Sequence, residues 1–485
     1  MRREQKTGKS KFSTLGYAYF CAMIKPSVRK VRSITLPGSL NEHISLWRFV
    51  LKWLVLVVPV GITIGSAIAL FLSLLTLATQ TREQYPSLLY FLPIGGIVIA
   101  VLYRYFGASV EQGSDLIVDE IHKPGAGVPR RMAPLIFVGT LISQLLGGSV
   151  GREGPAVQMG GSISSLFGHL FKLGADDMRL MLMAGIAAGF GAVFGTPLAG
   201  AIFALEVLAV GTLKYDGLLP CLIASVVGDL TCRLWGIHQV RHIITASGAL
   251  NHLSDSAFRA FTFEWDLLWK VAIAAIIFGL ASRTFSEFTH GVHRLFKESI
   301  KQFWLRPVVG GLIIIGLTYA LGTRDYLGLG ISSSDPHAIT IESAFSPGGA
   351  APLSWFWKLL FTVITLGSGF KGGEVTPMFF IGATLGNVLA GLFHAPVELF
   401  AGIGLVAVFA GATNTPLAGT LLSVELFGSD YLVYFAVAIF LAYLFSGHSG
   451  VYLSQRIGAP KGSGNGVPPD SSLGTIRKRK QKPST

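Results

Sequence analysis

The chain has 485 residues, of which 51% are hydrophobic and 13% charged, with a mean hydropathy of +0.58. Soluble globular proteins carry about 25% charged residues, so a chain with half that share, in long apolar runs, is not a soluble enzyme, a disordered tail or a disulfide-rich secreted domain. Glycine is abundant, at 59 residues, as in membrane helices whose backbones approach closely, and the composition is that of a polytopic α-helical membrane protein.

The net charge of +13 is concentrated at the ends. Residues 1–48 hold ten Lys/Arg against Glu4 and Glu42, and residues 456–485 hold seven against Asp470, so the body between them carries −1. Basicity confined to the ends of an apolar body argues against nucleic acid as a partner. Positive segments beside membrane spans stay cytoplasmic, so both termini are read as cytoplasmic, with Arg477–Lys480 as a topology and lipid signal. No cleaved signal peptide is expected, because the first apolar run follows a long basic lead. Cys21, Cys221 and Cys232 show neither metal nor disulfide spacing, and no cofactor or metal is expected.

A span needs about 20 apolar residues. In chain order, spans are predicted at 50–78, 88–106, 133–149, 216–235, 268–284, 307–321, 356–368 and 429–446. Between them, Gly- and Pro-broken apolar stretches near 150–172, 180–209, 370–394 and 400–427 suit tilted or interrupted helices inside the protein, where lipid does not reach the backbone. A polar insertion at 237–264 divides the body. The expected organisation is a basic N-terminal segment (1–48), a first membrane repeat (49–236), a polar connection (237–264), a second membrane repeat (265–455) and a basic tail (456–485).

The two halves share landmarks. Thr196-Pro197-Leu198-Ala199-Gly200 recurs as Thr415-Pro416-Leu417-Ala418-Gly419, and a glutamate follows each proline by nine residues, Glu206 and Glu425. Gly151-Arg152-Glu153-Gly154-Pro155 is matched by Gly372-Gly373-Glu374-Val375-Thr376-Pro377. This predicts an internal duplication of about 200 residues. In transporters such repeats often run in opposite directions, with the site at their interface. Helix packing alone explains the small residues of the repeated motif but not the paired glutamates.

In each broken segment a glycine-rich lead runs into a proline, a residue favoured in the first turn of a helix. A helix start at membrane depth aims free N–H groups and the positive end of its dipole at whatever lies ahead, which favours anions. Glu153 at such a start is itself an anion. Ionised, it would compete with a permeant anion; protonated, it would withdraw, linking protons to anions. The local alternative is a first-turn glutamate that only stabilises its helix. Glu374 is a second ionisable group, and the Thr376 hydroxyl either donates to an anion or caps the helix. Arg152 and Lys371 either concentrate anions at two entrances or snorkel to the surface. Ser114, in Gly113-Ser114-Asp115-Leu116-Ile117, offers a hydroxyl to a halide or forms a turn.

Together these residues resemble the CLC family of chloride channels and chloride/proton antiporters, over about residues 50–455. The motif Gly-Arg-Glu-Gly-Pro at 151–155, with Val157-Gln158 and Gly160-Gly161, carries the resemblance most specifically. It implies a homodimer with one pore per subunit, and a fold of two inverted repeats with broken, tilted helices. It implies anion coordination by backbone N–H groups at the helix starts, including Gly154 and Val375, and by the hydroxyls of Ser114 and Tyr452, with Glu153 as the gating carboxylate. Val207 stands where proton-coupled chloride exchangers carry an internal proton glutamate. Gly373-Glu374-Val375-Thr376-Pro377 stands where the family writes Gly-x-Phe-x-Pro, and its Glu374 and Thr376 are similar to the fluoride-exporting subgroup, whereas Ser114 and Pro155 are closer to chloride members. The expected function is transport of a small halide, chloride or fluoride, as antiport against protons, with a passive chloride channel as the alternative. A membrane-embedded enzyme would need a convergent nucleophile and base or a metal cluster, which the sequence does not show.

Overall fold

The computed structural model describes residues 38–238, 244, 261, 263–462 and 470–481. Most of the basic lead, nearly all of the polar connection and the end of the tail lie outside the described residues. The chain divides into two compact units, 1–51 and 52–485, and apart from the start of the first helix all that follows concerns the second.

Among the described residues the fold is helical, with one two-residue parallel strand pair. The helices are α1 (Gly38–Gln84), α2 (Leu92–Phe106), α3 (Ser114–His122), α4 (Met132–Leu145), α5 (Glu153–Leu170), α6 (Ala175–Phe194), α7 (Pro197–Glu206), α8 (Leu218–Leu234), α9 (Trp265–Ser299), α10 (Leu305–Leu321), α11 (Ser354–Gly367), α12 (Val375–Phe393), α13 (Val397–Thr413), α14 (Pro416–Phe427), α15 (Leu432–Phe445) and α16 (Leu473–Gln481). Among the described residues, six helices are long and apolar enough to cross a membrane. In two of them, α6 and α12, 89% and 83% of the most apolar 18 residues are buried inside the protein. Because lipid hardly touches these two, interrupted backbone next to them finds protein partners instead of hydrocarbon.

Of the four stretches expected to hold tilted or interrupted helices, 180–209 and 400–427 are interrupted, each with a local cause, whereas 150–172 and 370–394 each hold one continuous helix, α5 and α12. The run 180–209 stops at Gly195, which is left-handed (φ 70°), and restarts with Pro197 in the first turn of α7. The run 400–427 stops at Asn414, also left-handed (φ 60°), and restarts with Pro416 in α14. A left-handed residue ends a helix and a proline readily begins one. At about 1.5 Å per residue, the ten-residue α7 covers only half of a roughly 30 Å hydrocarbon core. It is a half-helix that must be supported from its end.

The order α4–α8 repeats as α11–α15, and the packing repeats with it. Helix α5 lies on α6 with Gly160 against the Gly185 backbone, while α12 lies on α13 with Gly382 against the Gly404 backbone. A Cβ at Gly160 or Gly382 would strike the opposing carbonyl. The helices meet backbone to backbone because the small residues permit it.

The two halves are joined by exchanges between equivalent residues. The amides of Gly151 and Gly373 each donate to the other's carbonyl, at 2.6 and 2.8 Å, as an isolated antiparallel bridge. The Glu425 carboxylate accepts the Leu198 and Ala199 amides at 3.0 and 2.8 Å. The Glu206 carboxylate accepts the Leu417 and Ala418 amides at 3.0 and 2.8 Å. Each repeated glutamate therefore satisfies the orphan N–H groups at the start of the other half's half-helix. This is the reason for the nine-residue spacing that helix packing left unexplained.

The segment after α15 folds back onto the body. Residues Ala209–Val210 pair in parallel with Arg456–Ile457. Lys461 Nζ donates to Asn414 Oδ1 at 2.5 Å, the Tyr443 carbonyl at 2.6 Å and Ser446 Oγ at 2.9 Å. Arg477 of the basic run pairs with Glu287 of α9 at 2.9 Å.

Candidate functional site

The Gly151–Gly373 bridge brings two helix starts together. Glu153 is the first residue of α5 and Val375 the first of α12, so Pro155 and Pro377 both take the third position. There the missing N–H costs nothing. Space is tight: a Cβ on Gly151 would lie 2.8 Å from Glu153 Oε2 and 3.0 Å from the Thr376 amide nitrogen.

The Glu153 side chain is buried and turned onto the start of α12. The Thr376 amide donates to its Oε2 at 3.0 Å, and the Thr376 hydroxyl contacts both carboxylate oxygens at 2.6 and 2.7 Å. The Arg152 amide donates to Oε2 at 3.1 Å, with Arg152 Nε 3.6 Å from Oε1. A buried carboxylate persists only when hydrogen-bonded or paired, and here an N-terminal dipole, two N–H groups and a hydroxyl serve it. Their donors converge on one side chain, that of Glu153. Of the two readings of Thr376, the structure shows its hydroxyl engaged with a carboxylate, that of Glu153.

One cavity reaches this point, and a second opens beside the lead to α12. The first, of about 580 Å³, is lined by Arg152, Glu153, Thr376, Phe194, Phe379 and residues 329–334 among others. Its aromatic wall is fixed by Phe194–Phe379 and Phe379–Phe409 ring contacts at 5.3 and 5.6 Å. The second, of about 940 Å³, is lined by Lys371, Arg104, Lys297, Lys301 and Arg306 among others. Arg152 and Lys371, the cations ahead of the two helix starts, thus serve separate cavities. Lys371 is not free in solvent: its ammonium lies 4.3 Å from the Tyr103 ring centroid.

The remaining predicted residues lie around Glu153 at different removes. Gly154 packs against Gly373 Cα, and its Cβ position would be 3.5 Å from Glu374 Oε2. Val375 is buried. Glu374 is half-buried at the N-cap of α12, and Tyr452 is buried with its hydroxyl in the field of Glu374, Asp115 and Glu153. Ser114 begins α3 after the left-handed Gly113 (φ 60°), and its hydroxyl oxygen accepts Gln158 Nε2 of α5 at 3.4 Å. Val207 is buried just past the end of α7.

Sequence reasoning missed two residues. Asp115 follows Ser114 and accepts the Ser454 amide at 2.9 Å, tying α3 to the Tyr452 segment. Lys358 is fully buried, donates to the Tyr326 and Gly328 carbonyls at 3.2 and 2.7 Å, and lies over the Phe380 ring. The available signal for Lys358 was a single cation inside the apolar run of α11, and intramembrane charges of that kind are rare.

A family model described as voltage gated chloride channel matches residues 95–447. The chain belongs to the CLC family. Members of this family are channels and transporters, not enzymes, and the chain is a multi-pass membrane protein of CLC-type anion transport. It is 45% identical over 426 residues to a chloride/fluoride channel protein of Pseudomonas syringae pv. tomato, covering 87% of this chain and 90% of that one. The crystal structure of a CLC-type fluoride/proton antiporter superposes with a TM-score of 0.77 at 32% identity, covering 84% of this chain and 98% of the other. A slow cyanobacterial Cl−/H+ antiporter shares the fold, with a TM-score of 0.67 at 22% identity over 81% of this chain and 94% of the other. The inverted-repeat helical fold and the fluoride-type features read from the sequence agree with these relatives.

Proposed function

We propose that the protein exchanges a small halide, fluoride in preference to chloride, for protons through a pathway between the two repeats. The observation that carries this reading is the Glu153 carboxylate held by the Thr376 amide and hydroxyl at the start of α12. Ionised, the side chain occupies the place of the halide and closes the first cavity. Protonated, it has lost the charge that the dipole and donors stabilise, and a halide replaces it. One side chain then alternates between proton and anion, which is the requirement for exchange. The preference for fluoride rests on the relatives named above and on Glu374 and Thr376 in the Gly373–Pro377 motif.

In this reading Glu153 is the gate and proton carrier, and Glu374 a second proton-handling group. The Gly154, Val375 and Thr376 amides and the hydroxyls of Ser114, Thr376 and Tyr452 line the halide's route. The partners are halide, protons, the lipid bilayer and a second copy of the chain as a homodimer. The protein resides in the cell membrane with both termini cytoplasmic, and its opening responds to voltage or pH through Glu153.

A second reading, a passive halide channel, is favoured by Val207, an apolar side chain where exchangers of the chloride type hold a proton glutamate. Purified protein in sealed vesicles separates the two. Fluoride efflux with matched proton uptake supports exchange, and a reversal potential that ignores the pH gradient supports a channel. Failure to move either halide would overturn both.

A further inference from the structure

The second cavity holds more charge than a halide route needs. Among the described residues, five cations line it, Arg104, Lys297, Lys301, Arg306 and Lys371, against a single carboxylate, Glu111. None of the five makes an ion pair among the described residues. Three are held by uncharged partners: Lys371 over the Tyr103 ring, Arg104 5.7 Å from the Phe303 ring centroid, and Arg306 Nε donating to the Ile300 carbonyl at 2.9 Å. Their positive charge is oriented but not neutralised. They come from separate elements, α2, the end of α9 and its following loop, the start of α10, and the lead to α12, so the convergence is a product of tertiary structure.

Like charges crowded around one concavity repel unless a counter-ion joins them, and one halide cancels a quarter of the four uncompensated charges. A phosphate group carries two or more charges and accepts several N–H bonds from arginine and lysine at once. The volume, about 940 Å³, is of the size that holds ligands well above a single ion.

We propose that this chamber binds a multiply charged phosphate-bearing anion, and that the bound anion obstructs halide entry from that side. The site is distinct from Glu153 and Thr376, neither of which lines it, and the binding claim holds whether transport is exchange or channel.

The test is calorimetric titration of pyrophosphate into the full-length protein in zwitterionic detergent at fixed ionic strength, with a parallel flotation assay on vesicles of phosphatidylcholine with and without phosphatidic acid. The comparison variant is Arg104→Gln/Lys297→Gln/Lys301→Gln, required to match the parent in melting temperature. If the anion is soluble, pyrophosphate binds once per chain, and the variant binds about tenfold more weakly, as expected from the loss of three exposed charge pairs. If the source is a lipid headgroup, pyrophosphate is silent and phosphatidic acid alone retains the parent but not the variant. Equal binding by parent and variant, or no response to either probe, overturns the proposal. Pyrophosphate binding that leaves halide efflux unchanged overturns the obstruction.

Discussion

Thr376 donates both its amide and its hydroxyl to the carboxylate of Glu153, a residue 223 positions earlier in the chain. This contact joins the start of one repeat's helix to the acid at the start of the other's. The first two predictions depend on it.

Glu153→Gln removes the charge and the ability to carry a proton while keeping the shape. Halide uptake driven by a pH gradient in proteoliposomes is expected to fall at least tenfold, to the level of protein-free vesicles. Retention of gradient-driven uptake would show that protons take another route.

Thr376→Val keeps the volume and deletes the hydroxyl. A hydrogen bond to a charged group contributes about 1.5–3 kcal/mol. The half-saturating halide concentration for initial efflux is therefore expected to rise by at least tenfold, with Thr376→Ser close to the parent. Similar values for valine and serine would mean that the hydroxyl takes no part in anion binding.

Glu206→Ala and Glu425→Ala each strip a carboxylate that accepts two helix-start amides of the opposite repeat. Each is expected to destabilise by about 2–4 kcal/mol, two charge-assisted bonds offset by partial rehydration of the freed amides. The two losses should be similar, because the geometry is mirrored. Denaturation in detergent, followed by tryptophan fluorescence, reads this; a loss confined to one variant would contradict mirrored roles.

Gly160→Ala and Gly382→Ala place a methyl against an opposing backbone carbonyl. Both are expected to abolish recovery of monodisperse protein on size-exclusion chromatography. Gly316→Ala is the control: it lies inside α10 with nothing within 4 Å of its Cβ position, and should be neutral or stabilising by about 0.5–1 kcal/mol. Normal yields from either packing variant would show that α5–α6 or α12–α13 can separate.

The sequence by itself determined the membrane class, the duplication and the sites of the helix breaks. These are local: an apolar run of sufficient length, a glycine or asparagine able to turn left-handed, and a proline suited to a first turn each act within a few residues. Glu153, Glu374 and Thr376 were legible for the same reason, as chemistry at helix starts inside apolar sequence. Only the tertiary structure decided what those groups face. Nothing within either repeat specifies that Glu153 seats on Thr376, that Glu206 and Glu425 cap each other's half-helices, or that Arg152 and Lys371 open onto different cavities. Those pairings join residues more than 200 positions apart and follow from the axis relating the repeats. Lys358 and the five-cation chamber were hidden for the same reason: the carbonyls and rings that hold a buried charge come from segments with no sequence relation to it.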